Sequence, residues 1–263
     1  MPRTPSPPPA QSGPEPPSGA LPGSIAAAWG LRERPGKGPK PGLSLEQIVR
    51  SGIRVAEADG LAAVSMSRVA SELGVGTMSL YRYVESKREL LDLMVDAAMG
   101  EAPLIDVRSG WRDGLAEWAS AELAVYRSHL WGLQVPLSGP PATPNALGWL
   151  EQALRCLRDS GLDEDQKMSV ILLLTTYVRS HATTEGQIDA AVRSAGISPH
   201  DAMTGYGKLL GMLLDPLRFP ELTAVAASGV LDKADPWDKE FYFGLERILD
   251  GVEVLIANLA GTG

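Results

Sequence analysis

The sequence predicts an all-α protein, with an N-terminal helix-turn-helix head and a larger C-terminal helical body. Three observations carry this. From residue 44 nearly to the end, apolar residues recur at helical spacing. No alternating apolar–polar run is long enough for a strand. Helix punctuation is dense, with capping-box patterns at Ser44-Leu-Glu-Gln47 and Ser86-Lys-Arg-Glu89 and Gly or Pro at the expected ends.

Twelve of the 21 prolines precede residue 44. Residues 1–24 carry almost no large apolar side chains, so they cannot bury enough surface to offset ordering entropy, and a disordered tail is expected. Ile25 and Trp29 lie four apart with alanines between them, which fits a short helical turn. Residues 31–42 read as a stiff basic arm with Arg32, Arg34, Lys37 and Lys40. The head follows. Its first helix starts after Ser44, lines one face with Ile48, Val49, Gly52, Ile53 and Ala56, and ends at Gly60. Ser65 caps a second helix at about 66–73, and a third covers about 77–83. Ser86 opens a fourth, with Leu90, Leu91, Met94, Val95 and Ala98, which stops near Gly100 and Pro103.

The body offers five further helices and a minor one. The first covers about 109–128, and residues 131–142 read as a loop. Thr143-Pro144 supplies a cap and a first-turn proline for about 144–159. The next starts near Asp163 and runs past 185, and Ser198-Pro199 starts another to about 214. A minor helix covers 220–229, and Asp235-Pro236 starts the last, to about 259. The expected domains are 1–43 (tail and arm), 44–100 (head) and 101–263 (body).

Composition excludes several classes. The 263 residues include one cysteine, Cys156, so there is no disulfide framework and a reducing cytosol is the natural setting. Cys156 sits in a helical apolar pattern and reads as an inert buried thiol. No apolar run approaches a membrane span, and the start lacks a signal-peptide core, so a cytoplasmic location is expected. Three histidines, and the absence of G-x-S-x-G, H-E-x-x-H or a Gly-rich phosphate loop, speak against an enzyme. No metal-ligand spacing occurs, and no cofactor is expected. Net charge is −8, but it is unevenly spread. Residues 30–90 hold ten Lys or Arg against seven Asp or Glu, whereas 91–263 hold thirteen against 24. Attraction to polyanions depends on the local patch within a Debye length, about 8–10 Å.

The basic part coincides with residues 65–88, SMSRVASELGVGTMSLYRYVESKR. Ala70, Gly74 and Leu80 stand at helix-turn-helix spacing: a small residue at a close crossing, a glycine for a positive φ, and a leucine holding the second helix to the first. Thr77, Met78, Ser79, Tyr81, Arg82 and Tyr83 are left to face a DNA groove. Arg82 can pair with guanine, and Thr77 and Ser79 can donate to phosphate or touch a thymine methyl. Tyr81 and Tyr83 offer phenol donors, and Ser67, Arg68 and Lys87 can hold phosphates.

Residues 44–100 resemble the DNA-binding head of the TetR (tetracycline repressor) family of bacterial transcription regulators. Ala70, Leu73-Gly74-Val75, Leu80-Tyr81-Arg82-Tyr83-Val84 and Lys87 with Leu90-Leu91 carry the likeness, over about a fifth of the chain. The run 65–84, followed by LLDLMVDAAMGE, is similar to the branch with a tetracycline-repressor-like effector domain. The resemblance implies an all-helical homodimer that binds a palindromic operator and is released by a small molecule. By position, Ser67, Thr77, Ser79, Tyr81, Tyr83 and Lys87 fall where family members touch DNA. Met78 stands where the tetracycline repressor commonly has proline, and Arg82 replaces its aromatic residue, so operator sequence does not transfer.

An effector-responsive body needs a cavity. Candidate liners are Trp118, Tyr126, His129, Trp149, Tyr177 and His181, with Trp111 and Trp131 in the wider set. His129 ends a helix before the Pro-rich loop, where the resemblance places a ligand-contacting histidine; its alternative role is capping helix carbonyls. The other reading of the aromatic residues is ordinary core, and of His181 a satisfied core histidine. The resemblance implies a dimer in which two late helices pair into a four-helix bundle, here about 163–190 and 236–259; Phe241, Leu245, Ile248, Leu249, Val252, Leu255, Ile256 and Leu259 give the last one an apolar face wider than a lone surface helix needs. The arm 32–40 has two readings, a minor-groove contact or a solvated linker. A ligand-responsive repressor is the reading adopted; an activator, or a helical interaction module without DNA activity, are the alternatives.

Overall fold

The computed structural model describes residues 23–31, 43–137, 139–232 and 236–261. Every regular element among them is helical. The expected tail before residue 23, and Arg32, Arg34, Lys37 and Lys40 of the basic arm, lie outside the described residues. The expected turn around Ile25 is helix α1 (Gly23–Ala28), whose Ala27 is buried in the head. Trp29 just beyond it donates its indole N–H to the Ala142 carbonyl at 2.8 Å.

Four helices make the head: α2 (Leu45–Asp59), α3 (Met66–Glu72), α4 (Thr77–Leu80) and α5 (Lys87–Met99). The Ser44 capping box forms in full, with Gln47 N–H donating to Ser44 Oγ at 3.1 Å and Ser44 N–H to Gln47 Oε1 at 2.8 Å. At the second box, Glu89 N–H donates to Ser86 Oγ, but the Glu89 carboxylate returns to the N–H of Glu85 rather than of Ser86. Helix α2 crosses α5 at Gly52, where a Cβ would lie 2.6 Å from Met94 Sδ. Ile48, Val64, Val69, Leu80, Val84, Leu90 and Met94 fill the head core with no exposed surface.

The body contains α6 (Trp111–Ser128), α7 (Pro144–Cys156), α8 (Glu164–Ala195), α9 (Pro199–Leu213), α10 (Pro220–Ala227) and α11 (Trp237–Ala260). Helix α6 packs on α7 and α8, and α8 on α11. Leu115, Trp118, Leu157, Leu174, Phe241, Leu245 and Leu249 are the centre of this second core. Cys156 is buried within it, donating to the Gln152 carbonyl, and burial pushes its thiol pKa up. Helices α9 and α10 contain no buried residue, and Leu209, Met212, Leu213, Leu222 and Val225 remain exposed. Among the described residues no helix is long and apolar enough to cross a membrane.

Three expectations change. The third head helix stops at Leu80, and residues 81–83 form a turn, with Tyr83 N–H and Val84 N–H both closing on the Leu80 carbonyl. The expected loop 131–142 begins instead as a 3₁₀ turn, Leu130–Gln134, whose Trp131 enters the head core together with Val135. Thr143 does not cap α7 with its side chain. The Asp96 carboxylate, reaching across from α5, accepts the N–H groups of Asn145 (3.1 Å) and Ala146 (3.2 Å) instead.

Candidate functional site

The helix-turn-helix is built by backbone bonds that its sequence permits. Ser65 Oγ accepts the Arg68 N–H and starts α3. The helix closes with a Schellman arrangement: Gly74 takes φ +67°, its N–H bonds to the Ser71 carbonyl, and the Val75 N–H bonds to the Ala70 carbonyl. Only a glycine adopts that φ without strain. Ala70 and Leu80, both buried, lock α4 against α3.

With Leu80 inward, the outer face of α4 and the following turn is presented to solvent. Met78 is 77% exposed and Tyr81 44%, Arg82 is exposed beside them, and Thr77 and Ser79 are half-buried at the flank. Ser67 and Lys87 are exposed on α3 and at the first turn of α5. The structure therefore brings Thr77, Met78, Ser79, Tyr81 and Arg82 onto one short segment, with Ser67 and Lys87 on the neighbouring helices. Three of the sequence candidates are already engaged: Ser67 Oγ shares a hydrogen bond with Ser65 Oγ at 3.2 Å. The Arg68 guanidinium lies 3.1 Å from Asp59 and 3.9 Å from Glu72. Tyr83 Oη donates to the Leu43 carbonyl at 2.9 Å, tying the start of α2 to the turn after α4.

The candidate effector residues of the body make three sets of contacts around one core. Trp118 and Trp149 meet edge-on, centroids 6.2 Å apart, and each indole N–H is committed: Trp118 to the Trp149 carbonyl, Trp149 to the Gly100 carbonyl. Tyr126 Oη donates to Glu122 Oε1 at 3.0 Å, and the Arg179 guanidinium carbon lies 5.4 Å from the centre of its ring. Burial, with the Glu122 charge adding to it, pushes the Tyr126 phenol pKa up. Tyr177 and His181 form a third group with Trp237 and Phe241. There Tyr177 Oη donates to the Phe241 carbonyl at 2.8 Å, and burial draws the His181 pKa down against the opposing Glu185 charge.

His129 occupies none of these. It ends α6, its own N–H bonding to the Val125 and Tyr126 carbonyls. Its ring stands edge-on to Trp131, and Nδ1 lies 3.1 Å from Glu57 Oε1 of α2, off the hydrogen-bond axis. Neither expected role, ligand contact or side-chain cap, describes this contact between body and head.

Sequence reasoning missed Asp96, Glu122 and Arg179. Asp96 joins the last head helix to the start of α7, and Trp149 joins α7 to the end of that same helix at Gly100. Arg88 adds a third tie, donating to the Pro136 carbonyl behind the 3₁₀ turn. For Glu122 a signal existed, since it stands one turn from both Trp118 and Tyr126 on the same face of α6. Burial raises its carboxyl from 4.5 to about 8, with the Tyr126 hydrogen bond and the Arg179 charge acting in the opposite sense.

Residues 48–94 match the model of bacterial regulatory proteins of the tetR family. Residues 102–256, more than half of the chain, match the tetracyclin repressor-like C-terminal domain. The chain belongs to the TetR family. This regulator is 38% identical to the HTH-type transcriptional repressor DrrR1 of Streptomyces coeruleorubidus, over 93% of its own length and 90% of that protein. It is 30% identical over a shorter stretch to an HTH-type transcriptional regulator of Saccharopolyspora erythraea, covering 66% of this chain and 75% of that one. Among solved structures, ActR of Streptomyces coelicolor in complex with actinorhodin superposes with a TM-score of 0.69 at 28% identity, covering 81% of this chain and 98% of ActR. The apo form of ActR gives 0.66 at 30% identity, covering 84% and 98%. As a TetR-family member the protein is a DNA-binding transcriptional regulator, all-helical, with the helix-turn-helix at its N-terminal end.

Proposed function

We propose that this TetR-family regulator is a homodimeric repressor that grips a palindromic operator with two heads (residues 44–100) and lets go when its body (101–263) takes up a small molecule. It acts in the cytoplasm, where its operator lies. The observation that carries the DNA reading is the exposed row Met78, Tyr81 and Arg82 on an element pinned from behind by Leu80 and Ala70. Arg82 reads a base edge; Ser67, Ser79, Tyr81 and Lys87 hold phosphates. Arg68 exchanges Asp59 for a phosphate or remains an internal strut.

Dimerisation is supported by apolar surface on α8 and α11. Met168, Leu172, Leu173, Phe243 and Val254 are between 45% and 68% exposed. An open groove of about 470 Å³ runs between the two helices, lined by Val170, Leu173, Ile248, Val252 and Leu255. A second copy packing there buries surface a soluble monomer rarely leaves exposed. Effector release is supported by the three ties from the body to α5 at Asp96, Gly100 and Arg88. A shift of α7 moves the last head helix, and with it the spacing of the two heads. DrrR1 is named a repressor and ActR is seen with a small molecule, which favours the same logic here.

Footprinting the purified protein on its own promoter region tests this. A protected palindrome, with half-sites about one helical turn or a simple multiple apart and affinity falling steeply with salt, is the expected result. No protection at low salt would end the proposal.

A further inference from the structure

Residues 23–31 lie ahead of both family-matched segments, 48–94 and 102–256, and add to the head and body that those segments make. Helix α1 has six residues, and a helix that short does not persist alone in water. Packing on α5 holds it in place. Ala27 is 7% exposed in the head core, Ala28 is half-buried against that core, and Ile25 is half-buried one turn before Trp29. Three successive alanines leave nothing bulky between α1 and the head. The helix closes with a Schellman arrangement at Gly30, φ +64°: the Gly30 N–H bonds to the Ala27 carbonyl and the Leu31 N–H to the Ala26 carbonyl. This closure fixes the turn from which Trp29 projects.

Trp29 reaches out of the head. Its indole N–H donates to the carbonyl of Ala142, 113 positions along the chain. Ala142 belongs to the stretch that leads from Val135, in the head core, to the start of α7. That stretch is held to the head at three points. Arg88 holds the Pro136 carbonyl, Trp29 holds the Ala142 carbonyl, and Asp96 holds the N–H groups of Asn145 and Ala146. Two of these holds come from α5 itself, and the third from a helix that rides on α5. Movement of α7 against α5 therefore breaks the Trp29 bond or lifts α1 from the head. Docking is intramolecular, because the chain re-enters the head core at Leu43, and the tether returns a lifted α1 at high effective concentration.

We propose that residues 23–31 are a strap across the joint between head and body, and that the docked strap holds the head in the pose that meets DNA. The functional part rests on the operator binding proposed above. Residues 23–31 contain no Lys, Arg, Asp or Glu. The strap therefore adds no attraction to phosphate; it acts through orientation. A head already held in its binding pose loses less freedom when it docks. Releasing the strap weakens binding by restoring that freedom, and it leaves the number of neutralised phosphates as it was.

The test uses two full-length variants. Ala27→Gln puts a long neutral polar side chain where α1 meets the head core, and Trp29→Phe keeps a ring but removes the N–H. Amide hydrogen exchange is read first. In wild type the N–H groups of Trp29, Gly30 and Leu31 should exchange roughly 10-fold or more slowly than in an unstructured peptide, and Ala27→Gln should abolish that protection. In both variants the amides of Gly100 and Leu147, at the end of α5 and the start of α7, should exchange about 3-fold faster, with those of Val69 and Leu73 in α3 unchanged. Affinity for the footprinted site, by fluorescence anisotropy, should fall about 3-fold or more in Ala27→Gln at an unchanged salt slope. Unprotected amides at 29–31 in wild type, joint amides that do not respond to loss of the strap, unchanged affinity, or a reduced salt slope would each overturn the proposal. Should α3 also lose protection in Ala27→Gln, the head itself is damaged there and Trp29→Phe decides by the same readings. Footprinting is read separately: failure to find a protected site removes the proposed repressor function, whereas the exchange data still decide whether the strap holds the joint.

Discussion

Replacing Glu122 by glutamine should stabilise this protein at neutral pH and not at acid pH. In the unfolded chain the carboxyl ionises near 4.5; in the folded chain it ionises near 8. Between these values the folded state holds a proton that the unfolded state has released. The folded pKa is the raised one, so the contribution of Glu122 to stability is fully present below about pH 4.5 and is lost as pH rises to about 8. At pH 7 the loss is about 3–3.5 kcal/mol, at about 1.4 kcal/mol for each pH unit crossed above 4.5. Glutamine keeps the Tyr126 hydrogen bond to its Oε1 and carries no charge to suppress. Urea melts of wild type and Glu122→Gln at equal protomer concentration, from pH 5 to pH 8, should therefore diverge. The variant should be within about 1 kcal/mol of wild type at pH 5 and ahead by roughly 3–3.5 kcal/mol at pH 7. A difference that stays constant across this range, or a variant less stable at pH 7, would refute the buried neutral acid.

Four further outcomes are expected. Arg82→Ala should relax base preference at one half-site position by roughly 1–3 kcal/mol with the helical circular dichroism intact; a binding-site selection that returns the wild-type sequence contradicts the role given to Arg82. Tyr83→Phe should cost about 1 kcal/mol in a thermal melt, because the bond to the Leu43 carbonyl is lost, and leave the salt dependence of operator binding unchanged. A reduced salt slope would restore Tyr83 as a phosphate contact. Asp96→Ala should cost about 1–2 kcal/mol by uncapping α7 and should shrink the effector-induced change in operator affinity, measured by fluorescence anisotropy. Gly244→Ala should cost about 1–3 kcal/mol, since the new Cβ would overlap Tyr177 Oη at the α8–α11 crossing; an unchanged melt would show that Tyr177 moves aside freely.

Local chemistry was legible in the sequence. Ser44, Ser65 and Ser86 marked helix starts because a short oxygen-bearing side chain ahead of an apolar run satisfies free N–H groups. Gly60, Gly74 and Gly100 marked helix ends, all with positive φ. The exposed face of the motif followed from Leu80 being the apolar residue that turns inward. The aromatic candidates of the body were the right residue types, but spacing along a helix says only which side chains share a face, and not what lies opposite. Trp118 and Trp149 proved to be partners of each other, and His129 a neighbour of the head.

The sequence by itself determined an all-α chain, its helix boundaries to within a few residues and the helix-turn-helix, because capping, glycine conformation and apolar periodicity act within four or five residues. Tertiary structure alone decided that Asp96 rather than Thr143 caps α7, that Tyr83 bonds the Leu43 carbonyl, that Trp131 belongs to the head core, and that Glu122 is buried, which raises its carboxyl pKa. Each of these depends on groups brought together by packing, Asp96 and Asn145 being 49 positions apart, and burial is a property of the assembled helices rather than of any one segment.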